Sequence, residues 1–226
     1  MNWGCHAPSS RFTIGRGAWA GALKKSLRAR EQLKPDVAEA RERWRKEQPS
    51  LPRERLVFLD ESGAKTNMTR LRGRARGGER CIDYAPNGHW MTTTMIGALR
   101  FDGTTACMTV DGATTGDVFR AYVEHVLVPT LRQGDIVILD NLSAHKNADA
   151  IRLITEAGAC VMPLPPYSPD LNPIEKMWSK IKECLRDAKA RTQQTLDDAI
   201  AHALSTVTAD DAHGWFASCG YALCQN

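Results

Sequence analysis

The chain has 226 residues, 42 % of them hydrophobic and 25 % charged, with a formal net charge of +4, a balance that excludes a disordered chain and suits one core or at most two. No apolar run approaches the about 18 residues a membrane span needs, and no signal-peptide pattern opens the sequence, so a cytoplasmic protein with no membrane partner is expected. The seven cysteines include no Cys-x-x-Cys pair, which fits reduced thiols better than a disulfide framework or a zinc site.

The charge is unevenly placed. Residues 1–80 hold 19 Lys and Arg against 9 Asp and Glu, and the remainder holds 11 against 17. A basic first third suits a surface facing double-stranded DNA, and an acidic remainder suits metal ligands whose charge bound ions would offset.

In chain order, Asp36 to Glu47 reads as a charged helix broken by Pro49 and Pro52. Residues 1–50 therefore form a basic N-terminal segment with one helix, set apart from a larger unit over 51–226. A strand over 55–60 follows and ends in Asp60. Next, Arg70-Leu71-Arg72-Gly73-Arg74-Ala75-Arg76 places arginine at every second position. If extended, it lines four guanidinium groups along one face to follow a phosphate backbone, with Gly73, Gly77 and Gly78 allowing close approach; the alternative is a solvated loop.

Strands near 91–101 and 104–110 are joined by the turn Asp102-Gly103, and a helix near 115–131 carries the stripe Val118, Phe119, Tyr122, Val123, Val126. The run Asp135-Ile136-Val137-Ile138-Leu139 is a strand ending at Asp140. A helix near 147–157 and a short strand at 159–163 come next. The stretch from Leu164 to Leu171 is too proline-rich for helix; Asn172 then suits a cap, Pro173 the first helical position, and Glu175 the first turn of a helix reaching about 188. A further helix is expected near 195–207. The apolar tail Trp215-Phe216-Ala217 with Tyr221-Ala222-Leu223 either closes the core or forms an interface.

Asp60 and Asp140 each end an apolar, β-prone run of the kind buried on both faces of a mostly parallel sheet, and so sit at the sheet rim where α/β folds place their sites. Glu61 rivals Asp60, but adjacent strand residues point to opposite faces, and Asp60 is the better choice. Singly, each acid reads as a turn former or a helix-dipole partner. Jointly, with 34 residues between Asp140 and Glu175, they read as hard oxygen ligands for Mg²⁺ or Mn²⁺. Two such ions about 3.5–4 Å apart activate an attacking oxygen and stabilise a leaving one in phosphoryl transfer.

The segments Phe58-Leu59-Asp60-Glu61-Ser62-Gly63, Leu139-Asp140-Asn141-Leu142-Ser143-Ala144-His145-Lys146 and Pro165-Pro166-Tyr167-Ser168-Pro169-Asp170-Leu171-Asn172-Pro173-Ile174-Glu175-Lys176-Met177-Trp178 resemble the signature blocks of the mariner-related transposases of bacterial insertion sequences, a branch of the DDE superfamily. The resemblance covers roughly Leu23 to Ala203. It implies an α/β, ribonuclease H-like, integrase-like fold with a mixed five-stranded sheet flanked by helices, the first and fourth strands side by side. It also implies that 51–226 is the catalytic domain and that Asp60, Asp140 and Glu175 are the catalytic and metal-binding triad for two Mg²⁺ ions, Mn²⁺ being able to substitute.

The activity implied is metal-dependent cleavage at the ends of an element to expose a 3′-hydroxyl, then attack of that hydroxyl on target DNA, typically at TA. Partners are transposon ends and target DNA, with a homo-oligomer on paired ends, at the bacterial nucleoid. Relatives carry helix-turn-helix modules of roughly a hundred residues ahead of this domain. Met1 to Gly21 matches no such module, so either a separately encoded helix-turn-helix product or a truncated copy is expected. The alternatives are an inactive DNA-binding fragment or regulator of transposition, and a ribonuclease H-type nuclease that cuts without joining.

Among supporting residues, Asn141 and His145 follow Asp140 closely enough to orient a metal ligand, a water or a phosphate, although a lone His after a strand more often makes local hydrogen bonds. Asn172 is expected to cap the Glu175 helix. Lys146 and Lys176 join Arg70, Arg72, Arg74 and Arg76 as DNA-binding candidates, with Lys180 and Lys182 weighed against an ordinary solvated helix face. Trp178 reads as core.

Overall fold

In the computed structural model, which describes residues 29–73, 75, 77, 79–140 and 147–221, the apolar runs assemble into one sheet. Its strands are β1 (Leu56–Lys65), β2 (Thr92–Arg100), β3 (Thr105–Asp111), β4 (Ile136–Leu139) and β5 (Cys160–Pro163), in the spatial order β3-β2-β1-β4-β5. β1 is antiparallel to β2 and β2 to β3, whereas β1–β4 and β4–β5 are parallel. This is the expected mixed five-stranded α/β sheet with its first and fourth strands adjacent. The turn at Asp102-Gly103 closes the β2–β3 hairpin, with Gly103 at φ +83°, a conformation open to glycine.

Strand alternation divides the core in two. Leu56, Phe58, Met95, Leu99 and Ile138 face one side, where they meet α4 (Pro173–Ala188), α5 (Gln193–Ser205) and α6 (Ala209–Ser218). Val57, Leu59, Ile96, Val137 and Leu139 face the other, against α2 (Gly116–Tyr122) and α3 (Ala148–Glu156). Because both faces are covered, β1 and β4 read as continuous apolar runs. α1 (Pro35–Glu47) precedes the sheet and contributes Trp44 to the α4-side core.

α4 buries Ile174, Met177, Trp178, Ile181 and Leu185, a stripe at helical spacing that holds the whole helix on the sheet. Trp178 is core, as expected, and it seats against Gly97 of β2: a Cβ there would lie 2.8 Å from the indole ring. An isolated glycine inside a strand marks such an approach.

Three elements depart from expectation. β1 continues five residues beyond Asp60 because β2 pairs with it as far as Lys65, so Asp60 lies inside a strand rather than at its carboxyl end. The helix expected near 115–131 is α-helical only to Tyr122, then passes through a π turn and a 3-10 turn to Thr130; Pro129, which lacks an N–H and crowds the preceding turn, accounts for the loosening. α6 was not expected at all, yet Thr208 and Asp211 form a reciprocal capping box at its start, a signature visible in the sequence. The apolar tail closes the core: Phe216 and Tyr221 pack edge-on against Phe58 at 5.3 and 5.1 Å, while Ala222 and Leu223 lie outside the described residues.

Candidate active site

The pairing register brings the two aspartates together. Phe58 and Leu59 of β1 pair with Ile138 and Leu139 of β4, so Asp60 and Asp140 are the next positions along two adjacent parallel strands. Even-numbered residues of both strands face α4, which puts both acids on that side. β4 ends there while β1 runs on, and the sheet opens at this step. Glu61 points to the α2 face, where its charge adds to burial in raising the Tyr122 hydroxyl, so of the two neighbours it is Asp60 that lines the cleft.

Glu175 arrives from the start of α4. The loop before it, Leu164 to Asn172, runs along the open end of the sheet, and its Pro165, Pro166, Tyr167 and Pro169 wall a cleft of about 560 Å³ into which Asp60, Asp140 and Glu175 project. Tyr167 takes φ +55°, a left-handed conformation that costs a non-glycine residue about 1–2 kcal/mol.

Asn172 occupies the N-cap position, but its side chain makes no capping hydrogen bond. The Glu175 N–H, at a position that normally donates to such a side chain, donates instead to the Asn172 main-chain carbonyl at 3.3 Å. The Asn172 Oδ1 is buried with no hydrogen-bond partner among the described residues. The expected side-chain cap is therefore corrected to a main-chain one.

The electrostatics are those of crowded, desolvated carboxylates. Asp60, only 7 % exposed, has its carboxyl pushed up to about 8, first by burial and then by the charges of Glu175 and Asp140; the Glu61 N–H, donating at 2.9 Å, works against this. Among the described residues no cation pairs with Asp60. Burial also raises the Glu175 carboxyl, Lys182 opposes that rise and Asp140 adds to it. Lys182 lies two turns along α4 from Glu175 and so on the same face.

Among the described residues, no three acidic, His or Cys side chains are gathered tightly enough to hold one ion together. What the cleft offers is carboxyl oxygen from three separate elements around one volume. That donor set fits hard divalent cations, each taking some of the acids and completed by other oxygens.

The other candidates divide. Arg70 is bound by both its Nε and its Nη2 to the Asp187 carboxylate at the far end of α4, so the arginine run is not free of acidic partners. Arg72 and Lys176 are exposed. Lys180 donates to Asp211 at 2.5 Å and to the Thr206 carbonyl at 2.7 Å, tying α4 to the α5–α6 connection. Arg74, Arg76, Asn141, His145 and Lys146 lie outside the described residues.

Among the described residues no helix is long and apolar enough to cross a membrane. The fold resembles solved structures of the Mos1 mariner transposase. The strand transfer complex matches with a TM-score of 0.69 at 15 % identity over 89 % of this chain and 64 % of that one. The paired-end complex with Mg gives 0.65 at 16 % over 90 % and 68 %. The isolated Mos1 catalytic domain gives 0.60 at 11 % over 88 % and 93 %. The chain thus spans about two thirds of the transposase in the complexes, and the likeness establishes a ribonuclease H-like fold. No curated protein sequence matches the chain. The model of the family described as DDE superfamily endonuclease matches residues 55–197, the stretch that holds Asp60, Asp140 and Glu175, and the chain belongs to that family.

Proposed function

We propose that the chain is the catalytic core of a transposase, with Asp60, Asp140 and Glu175 as its metal-binding catalytic acids, acting on DNA phosphodiesters at transposon ends and in target DNA. The observation that carries this reading is the meeting of those three carboxylates, from two strands and a helix start, in one cleft where the Asp60 carboxyl is pushed up to about 8. Mos1, whose fold it shares, is known as a paired-end complex with Mg and as a strand transfer complex.

Two Mg²⁺ or Mn²⁺ ions held by the three acids would activate a water or a DNA 3′-hydroxyl and stabilise the departing oxygen. The chain's own part is placement. Asp60 lies deepest, fixed by β1 and by the Glu61 N–H, and would hold a cation in its deprotonated form. Asp140 stands beside it at the end of β4, and Glu175 closes the mouth. The proline-walled loop limits where a duplex enters. Ser168, the serine of that loop, donates to the Pro166 carbonyl at 3.1 Å and accepts from Arg41 at 2.6 Å, so it is not poised as a covalent nucleophile. Water and then a DNA hydroxyl serve instead. Arg72 and Lys176, with Arg70, Arg74, Arg76 and Lys146, are proposed to meet the DNA backbone. The working unit is proposed to be an oligomer on paired ends, with residues 51–226 as the catalytic part and a helix-turn-helix unit supplying end recognition.

The test is a strand-transfer assay with Mn²⁺ or Mg²⁺, using a pre-cut labelled duplex from the terminal repeats that flank the gene and a plasmid target. Joined product from the wild type and none from Glu175→Gln supports the reading. Cutting without joining would turn it toward a ribonuclease H-type nuclease.

A further inference from the structure

The loop that shapes the cleft is gripped from outside the catalytic sheet. Arg41 of α1 is only 4 % exposed, and its guanidinium is directed wholly at that loop. Nη1 donates to the Tyr167 carbonyl at 3.1 Å and to the Ser168 hydroxyl at 2.6 Å, and Nη2 donates to the Asp170 carboxylate at 2.7 Å. Gln32 gives the Tyr167 carbonyl a second donor at 2.7 Å, and Arg45, one turn after Arg41, reaches Asp170 at 3.4 Å. Trp44, on the same face of α1, donates to the Tyr221 hydroxyl at 3.0 Å, which in turn donates to the Leu171 carbonyl at 2.9 Å.

The segment held in this way is the one that needs holding. A left-handed Tyr167 persists only where its surroundings over-determine it, and two side-chain donors on its carbonyl do so. Tyr167 lines the cleft, and four residues after Ser168 the loop delivers Asn172 and the start of α4, with Glu175 in its first turn.

We propose that Arg41 is a positioning residue of the active site: its fork on Tyr167, Ser168 and Asp170 sets the loop that presents Glu175 to Asp60 and Asp140, which extends the catalytic unit from 51–226 to include α1. This rests on the metal-site reading above. Burial raises the Asp170 carboxyl, but the hydrogen bond and charge of Arg41, with Arg45, outweigh that and hold it below the ordinary carboxylate range, so the pair is ionised at neutral pH. Arg41 is too enclosed to meet a DNA phosphate itself. A lysine at this position keeps the charge but not the planar fork, and cannot serve three acceptors arranged for a guanidinium.

The experiment compares the full chain as wild type, Arg41→Lys, Val37→Ala and Glu175→Gln. Mn²⁺ binding is followed by electron paramagnetic resonance, amide hydrogen exchange in peptides covering 164–176 and 56–62, and thermal midpoint in parallel. Arg41→Lys is expected to weaken Mn²⁺ binding about tenfold, as loss of groups that orient ligands does, and to speed exchange in 164–176 about tenfold with 56–62 unchanged. Val37→Ala, a truncation of a buried apolar side chain on the same helix, is expected to lower the midpoint and leave both other readouts alone.

Unchanged Mn²⁺ affinity or unchanged loop exchange in Arg41→Lys overturns the proposal, and so does equal weakening in Val37→Ala, which would reduce Arg41 to a general stabiliser. Should Arg41→Lys not fold, Asp170→Asn removes the negative charge that Arg41 pairs with at the loop's half-exposed end, and the same two changes are expected at a smaller size; their absence overturns the proposal. If Glu175→Gln binds Mn²⁺ as the wild type does, the metal-site reading fails on its own, and loop exchange alone then decides whether Arg41 holds the loop.

Discussion

Strand β4 has an aspartate against each end, and the protein treats the two ends oppositely. Asp135, just before Ile136, is 1 % exposed and accepts from the Arg100 guanidinium at 2.6 Å and from the Arg132 N–H at 2.6 Å. Arg100 also donates to the Thr130 carbonyl at 2.7 Å, so this end of the sheet is stitched by charge-assisted hydrogen bonds. At the other end, Asp60 beside Asp140 has one main-chain donor and no cation among the described residues, and its carboxyl is pushed up to about 8. A buried carboxylate requires a compensating charge. Where the chain supplies it the acid is structural, and where it does not the acid is open to a cation from solution, as proposed above.

That contrast can be broken most sharply at the open end. Asp60→Asn, Asp140→Asn and Glu175→Gln should each lower DNA cleavage at least about a thousandfold in a Mn²⁺ assay while leaving the far-ultraviolet circular dichroism of the wild type. At the closed end the effect falls on stability: Arg100→Met strands Asp135 as an uncompensated buried charge and should cost about 3–5 kcal/mol in urea unfolding. A loss below about 1 kcal/mol would show that the two ends are not different in kind.

Next in size is Gly97→Ala, opposite Asp60 in the β1–β2 register, whose added methyl meets Trp178 and the Cys107 sulfur. It should destabilise by about 1–3 kcal/mol in the same measurement and, by lifting α4, weaken Mn²⁺ binding as well.

The smallest effect tests the charge argument itself. The folded carboxyl of Asp60 lies at about 8, against an ordinary value near 3.8, so between those values the unfolded chain has released a proton that the folded chain still holds. Its stabilising contribution is complete below about pH 4 and is lost as pH rises through about 8. Metal-free Asp60→Asn should therefore lose less stability than the wild type between pH 5 and 8, by at least about 1.4 kcal/mol, the equivalent of one pKa unit. Parallel curves for the two proteins would remove the raised carboxyl from the account.

Much of this architecture can be read from local chemistry. The runs ending at Asp60 and Asp140 are apolar throughout because both faces of the sheet are covered, and Asn172-Pro173 announces the start of α4. Strand alternation alone separates Asp60 from Glu61. α6 was equally legible in its Thr208–Asp211 box but was masked by the apolar tail that follows. The extent of β1 was not legible, since it depends on how far β2 keeps pairing after β4 has stopped. Nor was the fate of individual cations: Arg70, Lys180 and Arg41 look alike in composition, yet one pairs at the end of α4, one ties helices together and one is buried against the active-site loop.

By itself the sequence determined which elements bear Asp60, Asp140 and Glu175 and the order of those elements, because β-prone runs, proline, caps and alternation act over a few residues. Only the tertiary structure decided that Asp60 and Asp140 share one register step, that Glu175 reaches them across a cleft, and that Arg41 holds the intervening loop. Those outcomes depend on strand pairing and on buried hydrogen bonds between residues more than a hundred positions apart, as between Arg41 and Ser168, separated by 127. No local pattern encodes such distances; the closing of one shared core does.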